Sequence, residues 1–173
     1  MITVLQARGA QDFEMMSTLC RRLAQWDAEA GQPHGVSAED VRAIFHPQTS
    51  ARELAEKFEP PGTGAFVARS GDSPAGCLAF DRFDDTAAEL HKFFVDEPFR
   101  GLGIGRMLMA AALSEIGKGP IRRVLIHTTF YMKHAIAIYE SFGFRTCAPF
   151  RETPEHVRHT DVFMSCVIPT GLR

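Results

Sequence analysis

The sequence predicts an α/β (α+β) fold on one mixed sheet, and three observations carry that prediction. Strand-like and helix-like segments are interspersed along the 173 residues instead of being segregated. Three consecutive strand segments in the middle of the chain are joined by turns short enough only for antiparallel pairing. The third of them runs directly into a glycine-rich turn and an amphipathic helix. Hydrophobic residues make up 45% and charged residues 23%, proportions that suit a globular chain able to bury a core. One compositional texture runs throughout, so a single domain over 1–173 is expected.

Residues 2–7, "ITVLQA", alternate in polarity and predict a first strand, after which Phe13, Met16, Cys20 and Leu23 recur at helical spacing. Residues 27–62 mix turn signals with short helical pieces and read as connecting, lid-like material, with Ser37 a helix N-cap before "AEDVRAIF". "GAFVARS", the turn "GDSP" and "AGCLAFDRF" form a hairpin, and a longer strand runs from Ala87 to Val95. The helix after the glycines carries Ile104, Met107, Leu108 and Ala111 on one face and stops before Gly117, Gly119 and Pro120. "RRVLIHTT" is the next strand. A second helix sets Ala135, Ile138, Tyr139 and Phe142 on one stripe and ends at Gly143. The strand "FRTCA", a polar loop and the last strand "DVFMSCVI" complete the chain.

"FRGLGIG", residues 99–105, places three glycines in five positions between a strand and a helix. The first N–H groups of a helix have no internal partner, and the macrodipole favours negative charge beside them, so the turn suits a phosphate. The dinucleotide pattern G-x-G-x-x-G fails because position 106 is Arg106, and no Gly-Lys-Ser/Thr completes a Walker A loop. The stretch Arg100-Gly101-Leu102-Gly103-Ile104-Gly105 instead resembles the acyl-CoA signature of the GNAT superfamily of N-acetyltransferases. "ELHKFFVDEPFRGLGIG" looks like that family's strand leading into the signature, and "AIAIYESFGF" is similar to its later helix-to-strand segment. The resemblance covers Glu89 to Phe144 and implies a twisted sheet of about seven strands, splayed between its parallel central strands, with about four flanking helices.

That resemblance implies acetyl-CoA as acyl donor, with its pyrophosphate cradled by the N–H groups of Leu102 to Arg106 and with Gly103 and Gly105 leaving room for it. It implies a carbonyl-polarising N–H near Phe94 or Val95. It implies Tyr139 as the acid for the departing sulfur, the alternative being a core tyrosine. Amine acetylation needs a neutral nitrogen, and a lysine-like amine has a pKa of about 10.4. The resemblance makes Glu89 the leading base, since some members of that family carry a catalytic glutamate there on the same strand; otherwise it is a polar residue at a strand start. His91 faces the same side of the strand, and His127 ends the following one. Met132 departs from the resembling family, which often has asparagine there.

The expected reaction is acetyl transfer to a primary amine in a ternary complex, with a small-molecule acceptor. The alternatives are a protein N-terminus or lysine as acceptor, and a catalytically silent acyl-CoA-binding module. Net charge of -2 and no Lys/Arg cluster argue against nucleic acid as partner. No apolar run reaches the roughly 20 residues that span a membrane, and no export signal opens the chain, so a cytoplasmic protein is expected. Cys20, Cys77, Cys147 and Cys166 are too dispersed for a zinc knuckle or a disulfide framework, and His156-x-x-His159 lacks further ligands, so no metal is expected. Residues 27–60 carry seven acidic side chains against Arg42, Arg52 and Lys57, either an attraction for cationic amines or a solvated helix surface. Trp26 walls a pocket or joins the core. A homodimer is common in the resembling family.

Overall fold

The computed structural model describes residues 1–169, and the last four residues of the expected 1–173 unit lie outside the described residues. Seven strands form one sheet: β1 (Ile2–Gln6), β2 (Gly64–Ser70), β3 (Ser73–Arg82), β4 (Ala87–Val95), β5 (Arg123–Thr129), β6 (Arg145–Thr146) and β7 (Asp161–Val167). Their spatial order is β1-β2-β3-β4-β5-β7-β6. The last strand to be made thus lies between the two made before it.

Every pairing is antiparallel except β4 with β5, which matches only Ala87–Glu89 to Arg123–Leu125 before the two strands part. The cause lies on the other edge of β4. Phe94 stands opposite Cys77, but His91 stands opposite Ala79, so β4 holds one residue more than β3 over this stretch. The bulge centres on Lys92, whose φ of 59° is the one left-handed backbone among the described non-glycine residues. A bulge bends and twists its strand, and here it turns β4 away from β5. It also reverses the alternation. Ala88, Leu90, Phe93 and Val95 pack in one core cluster, whereas Phe94 packs in the cluster on the opposite face.

Five α-helices and three short 3-10 segments flank the sheet, more than the four helices expected. α1 (Ala10–Gly31) covers one face with α2 (Ala38–Phe45) and α3 (Ala51–Phe58), burying Phe13, Met16, Leu19, Leu54 and Phe58. α2, expected from its Ser37 cap, and α3 both come from the connecting segment, and each begins with a capping box, Ser37 with Asp40 and Ser50 with Glu53. Two orphan N–H groups are satisfied reciprocally by such a pair. α4 (Ile104–Gly117) and α5 (Lys133–Ser141) cover the other face. On α4 the buried stripe is Ile104, Leu108, Met109, Ala112 and Ile116, while Met107, expected inside, is 40% exposed. The expected strand "FRTCA" is ordered as a ladder only at Arg145–Thr146, with one further bond from Cys147 N–H to the Phe163 carbonyl. All four cysteines are free. No described helix is long and apolar enough to cross a membrane.

The polar loop before β7 is docked. Residues Glu155–Thr160 form a 3-10 segment whose Val157 packs with Val36 and Val41. His156 pairs with Asp40 at 3.0 Å and His159 reaches the His34 carbonyl at 3.0 Å, so the His-x-x-His pair serves two separate contacts.

Gly76 lies under the bulged strand, and a Cβ there would sit 2.8 Å from the Phe94 carbonyl oxygen and 3.1 Å from Ile104 Cγ2 and Leu108 Cδ1. Backbone cannot yield as a side-chain tip can. Gly76→Ala is expected to destabilise the fold by about 1–3 kcal/mol, the usual range for overpacking, read as a lower urea midpoint at unchanged slope.

Candidate active site

The glycine turn sits at the end of β4 on a rigid mount. Asp96 accepts from Glu97 N–H at 3.1 Å and pairs with Arg22 of α1. Arg100 Nε donates to the Val95 carbonyl at 3.1 Å, and its guanidinium lies 5.8 Å from the Trp26 ring. Gly101 and Gly103 then turn through left-handed backbone, φ 81° and 76°. Gly103 is the N-cap of α4 and brings no side-chain acceptor. No protein group accepts from the N–H groups of residues 101–106 among the described residues. A Cβ on Gly101 or Gly103 would meet nothing within 4 Å, so the space above them is open.

This turn forms one wall of a cavity of about 610 Å³, walled otherwise by Trp26, Phe94, Val95, Phe99 and the first turns of α5. Bare helix N–H groups beside open space suit an anion, and the apolar remainder suits an extended chain, so the residues present fit a coenzyme with a pyrophosphate. Gly105 has a different purpose from the one expected. Its Cβ would lie 2.7 Å from Ile138 Cδ1 and 3.1 Å from Phe93 Cζ, so the glycine lets α4 pack against α5. Arg106 is tied to α5 through Ser141 Oγ at 3.0 Å.

A second, smaller cavity of about 70 Å³ opens where β4 and β5 part, and it shares Leu23, Phe93, Met132 and Ala135 with the first. Glu89, His91, Tyr139 and His127 line it, together with four residues the sequence did not single out: Asp27, His46, Lys92 and Arg151. Glu89 is 4% exposed, and its Oε2 accepts from Arg151 and lies 3.8 Å from His91 Nε2. His91 Nε2 in turn lies 2.7 Å from Asp81 Oδ1. The bulge puts Lys92 on the same side, where its ammonium donates to the carbonyls of Phe45 at 3.2 Å and Gln48 at 2.9 Å. Burial lowers the Lys92 pKa from its ordinary value.

Tyr139 is 3% exposed, and burial alone pushes its phenol pKa up, so the hydroxyl keeps its proton. Two buried imidazoles complete the cavity. His46 Nε2 lies 3.0 Å from Asp27 Oδ2 and His127 Nε2 lies 2.8 Å from Asp161 Oδ1. Burial lowers both histidine pKa values, with the carboxylate partners opposing it. The Nδ1 of each ring, Asp27 Oδ1 and Thr129 Oγ1 are buried with no hydrogen-bond partner.

The predicted site residues therefore fall into two groups. Phe94, Val95, Arg100, Gly101, Gly103, Ile104, Gly105 and Arg106 line the larger cavity; Leu102 lies in the same turn, 58% exposed. Glu89 and Tyr139 meet at the smaller one. Trp26 is half-buried against the larger cavity. Met132 is the N-cap of α5, provides no side-chain cap, and forms wall between the two cavities. Of the acidic residues in 27–60, Asp40 and Glu53 cap helices and Glu56 pairs with Arg52; only Asp27 reaches the small cavity. A lysine inside the apolar run "HKFFV" was the available signal for Lys92. Asp81, Glu89 and His91 hold ligand-type atoms within 4.8 Å of one another, the one such group among the described residues. Lys57, 3.6 Å from Asp81, and Arg151 on Glu89 already set positive charge against those carboxylates.

Residues 17–144 match the family model described as the acetyltransferase (GNAT) family. An uncharacterized N-acetyltransferase of Schizosaccharomyces pombe is 29% identical over 100 residues, which are 57% of this chain and 61% of that protein. The match thus spans less than two thirds of that relative's length. An uncharacterized N-acetyltransferase of Escherichia coli is 26% identical over 129 residues, covering 73% and 74% of the two chains. The crystal structure of the PaiA N-acetyltransferase of Thermoplasma acidophilum, in complex with coenzyme A, superposes with a TM-score of 0.72 at 16% identity, over 97% of this chain and 99% of that one. The shared fold is the content of that last likeness.

Two outcomes are expected from this geometry. Gly103→Ala forces a Cβ into left-handed backbone and should lower stability by about 1–2 kcal/mol, with weaker acetyl-CoA binding by calorimetry; unchanged affinity would remove the turn from the coenzyme site. His46 and His127 have folded pKa values below their ordinary 6.5, so the unfolded chain takes up these protons first on acidification. Their contribution is full above pH 6.5 and is lost as pH falls through the depressed folded values. Calorimetric melts between pH 7 and 5 should show a falling Tm with proton uptake on unfolding.

Proposed function

Since the chain belongs to the acetyltransferase (GNAT) family, we propose that it moves the acetyl group of acetyl-CoA to a small-molecule primary amine by direct attack in a ternary complex. The observation that carries this reading is the junction of the two cavities. A coenzyme-sized space with bare N–H groups at one end opens, across Leu23, Phe93, Met132 and Ala135, onto a small chamber of titratable groups.

Bound acetyl-CoA supplies the activated acetyl group as a thioester. The N–H groups from Leu102 to Arg106 hold its pyrophosphate, and Gly101 and Gly103 give the turn its shape. Beyond Glu89 the β5-facing edge of β4 has no strand partner, so alternate N–H groups there, near Phe94 or Val95, are free to polarise the carbonyl. Tyr139 holds the proton for the departing sulfur, a role its burial supports because the phenol stays protonated at neutral pH. Glu89, fixed by Arg151 through Oε2, receives the acceptor's N–H groups. The size of the chamber, about 70 Å³, and its walls from α1, α2 and Arg151 support a compact amine over a folded protein surface.

Coenzyme-thiol release from acetyl-CoA should be measured across polyamines, amino acids, aminoglycosides, lysine peptides and peptides with free N-termini. One class of small amine is expected to drive release, and Tyr139→Phe to lower kcat about 10²-fold or more with little change in Tm. Turnover confined to peptides would overturn the small-molecule acceptor. Tight acetyl-CoA binding with no release would favour a silent binding module.

A further inference from the structure

We infer that Met132 sets the length of acyl chain the protein takes from coenzyme A, holding it to acetyl, because its side chain fills the seam in which that chain has to lie. This rests on the acetyl-transfer reading above and adds the donor's chain length to it.

A thioester held for attack has its coenzyme in the larger cavity and its carbonyl carbon within reach of the titratable chamber, so its acyl tail lies where the two spaces meet. Four residues line both: Leu23, Phe93, Met132 and Ala135. All four are apolar, as a hydrocarbon tail requires. The chamber beyond gives a longer tail no way out. Its volume of about 70 Å³ is less than half of the roughly 150 Å³ of a cavity that admits benzene. Glu89, Arg151 and Lys92 stand on its walls, and methylenes laid against them would take away water without supplying a hydrogen bond.

Three of the four seam residues have little freedom to yield. Leu23 is 5% exposed and belongs to the core cluster on the α1 face. The Phe93 ring lies 5.5 Å from that of Tyr139, and a Cβ on Gly105 would come within 3.1 Å of its Cζ, so α4 and α5 confine it. Ala135 has only a methyl group. Met132 differs from all three. It is half-buried, packs against the cluster that contains Leu23 and Phe94, and its side chain makes no cap for α5. Its backbone is nevertheless fixed on both sides, its N–H donating to the Thr129 carbonyl and its carbonyl accepting from Ile136 N–H, each at 3.0 Å. A long, unbranched, adaptable side chain thus stands at the seam on a rigid base, and what it contributes there is volume. Shortening it widens the seam and leaves the other three walls in place.

Calorimetric affinities of the chain for free coenzyme A and for its acetyl, propionyl and butyryl thioesters read the seam without any acceptor, since the ratio of each thioester to free coenzyme cancels the pyrophosphate contacts. Butyryl-CoA is expected to bind the native chain about 10-fold or more weakly than acetyl-CoA, the scale on which a methylene or two decides fit in an apolar pocket, with propionyl-CoA between them. Met132→Ala should remove most of that difference. With the amine that the release assay identifies, it should also raise kcat/KM for butyryl-CoA relative to acetyl-CoA about 10-fold or more. Met132→Val, shorter but bulkier near the backbone, should give an intermediate ratio, and melting curves establish that both variants fold. Equal affinity of the native chain for acetyl- and butyryl-CoA overturns the inference whatever the variants do. So does a native length preference that persists undiminished in a folded Met132→Ala or Met132→Val, while acetyl transfer itself stands. Failure to bind coenzyme A or any of its thioesters would instead sink the reaction on which the inference rests.

Discussion

The extra residue in β4 is the constraint on which the rest of the molecule depends. Without the register shift opposite Cys77–Ala79, β4 would continue beside β5 as an ordinary parallel pair, and there would be no chamber between them. With it, His91 and Lys92 both face the helices α1 to α3, and Phe93 and Val95 return to the α4 side. Left-handed backbone at a residue with a Cβ is unfavourable by about 1–2 kcal/mol. The Lys92 ammonium, anchored on the Phe45 and Gln48 carbonyls, and the Lys92 carbonyl, accepting from the Cys77 thiol at 3.1 Å, hold that conformation from both ends.

The chamber also departs from the usual economy of a protein interior. An unpaired buried polar atom costs about 1–3 kcal/mol, and here several are gathered around one small space: Asp27 Oδ1, Thr129 Oγ1 and the two histidine Nδ1 atoms. Among the described residues the other two such atoms are Gln48 Oε1 and the Tyr131 hydroxyl. Asp40 and Glu53 each serve a helix start, and Asp84 accepts from both Thr86 and Ala87 N–H. Unpartnered polar atoms concentrated at the splay, next to a protonated phenol, set this chamber apart from the ordinary core.

The sequence revealed what depends on local pattern. The strand–glycine–helix unit was legible from three glycines whose backbone the structure shows to need φ near +80° at two of them, and Ser37 was legible as a cap because its side chain and Asp40 act within four residues. Gly105 was read for the wrong neighbour, since nothing nearby in sequence shows that Ile138 will press against it. Met107 shares helical phase with the core residues yet faces out, because the wall that α4 packs on is set by strands distant in the chain. Arg151, Lys92, Asp27 and His46 were not singled out for the same reason. They meet only after a bulge, a capped helix pair and a docked loop have brought four separate segments to one spot, and the pairing of Asp161 with His127 spans 34 residues.

The position of β7 between β5 and β6 has a consequence for how the protein is made. β5 leaves the ribosome with one edge open, and its histidine has no carboxylate to orient it until the chain has grown past Asp161 and that strand has slid into the gap. Contacts of such long sequence separation form late. A chain that ends before Asp161 therefore lacks both the strand that covers the open edge of β5 and the carboxylate that meets His127, so this side of the chamber is the last to be completed.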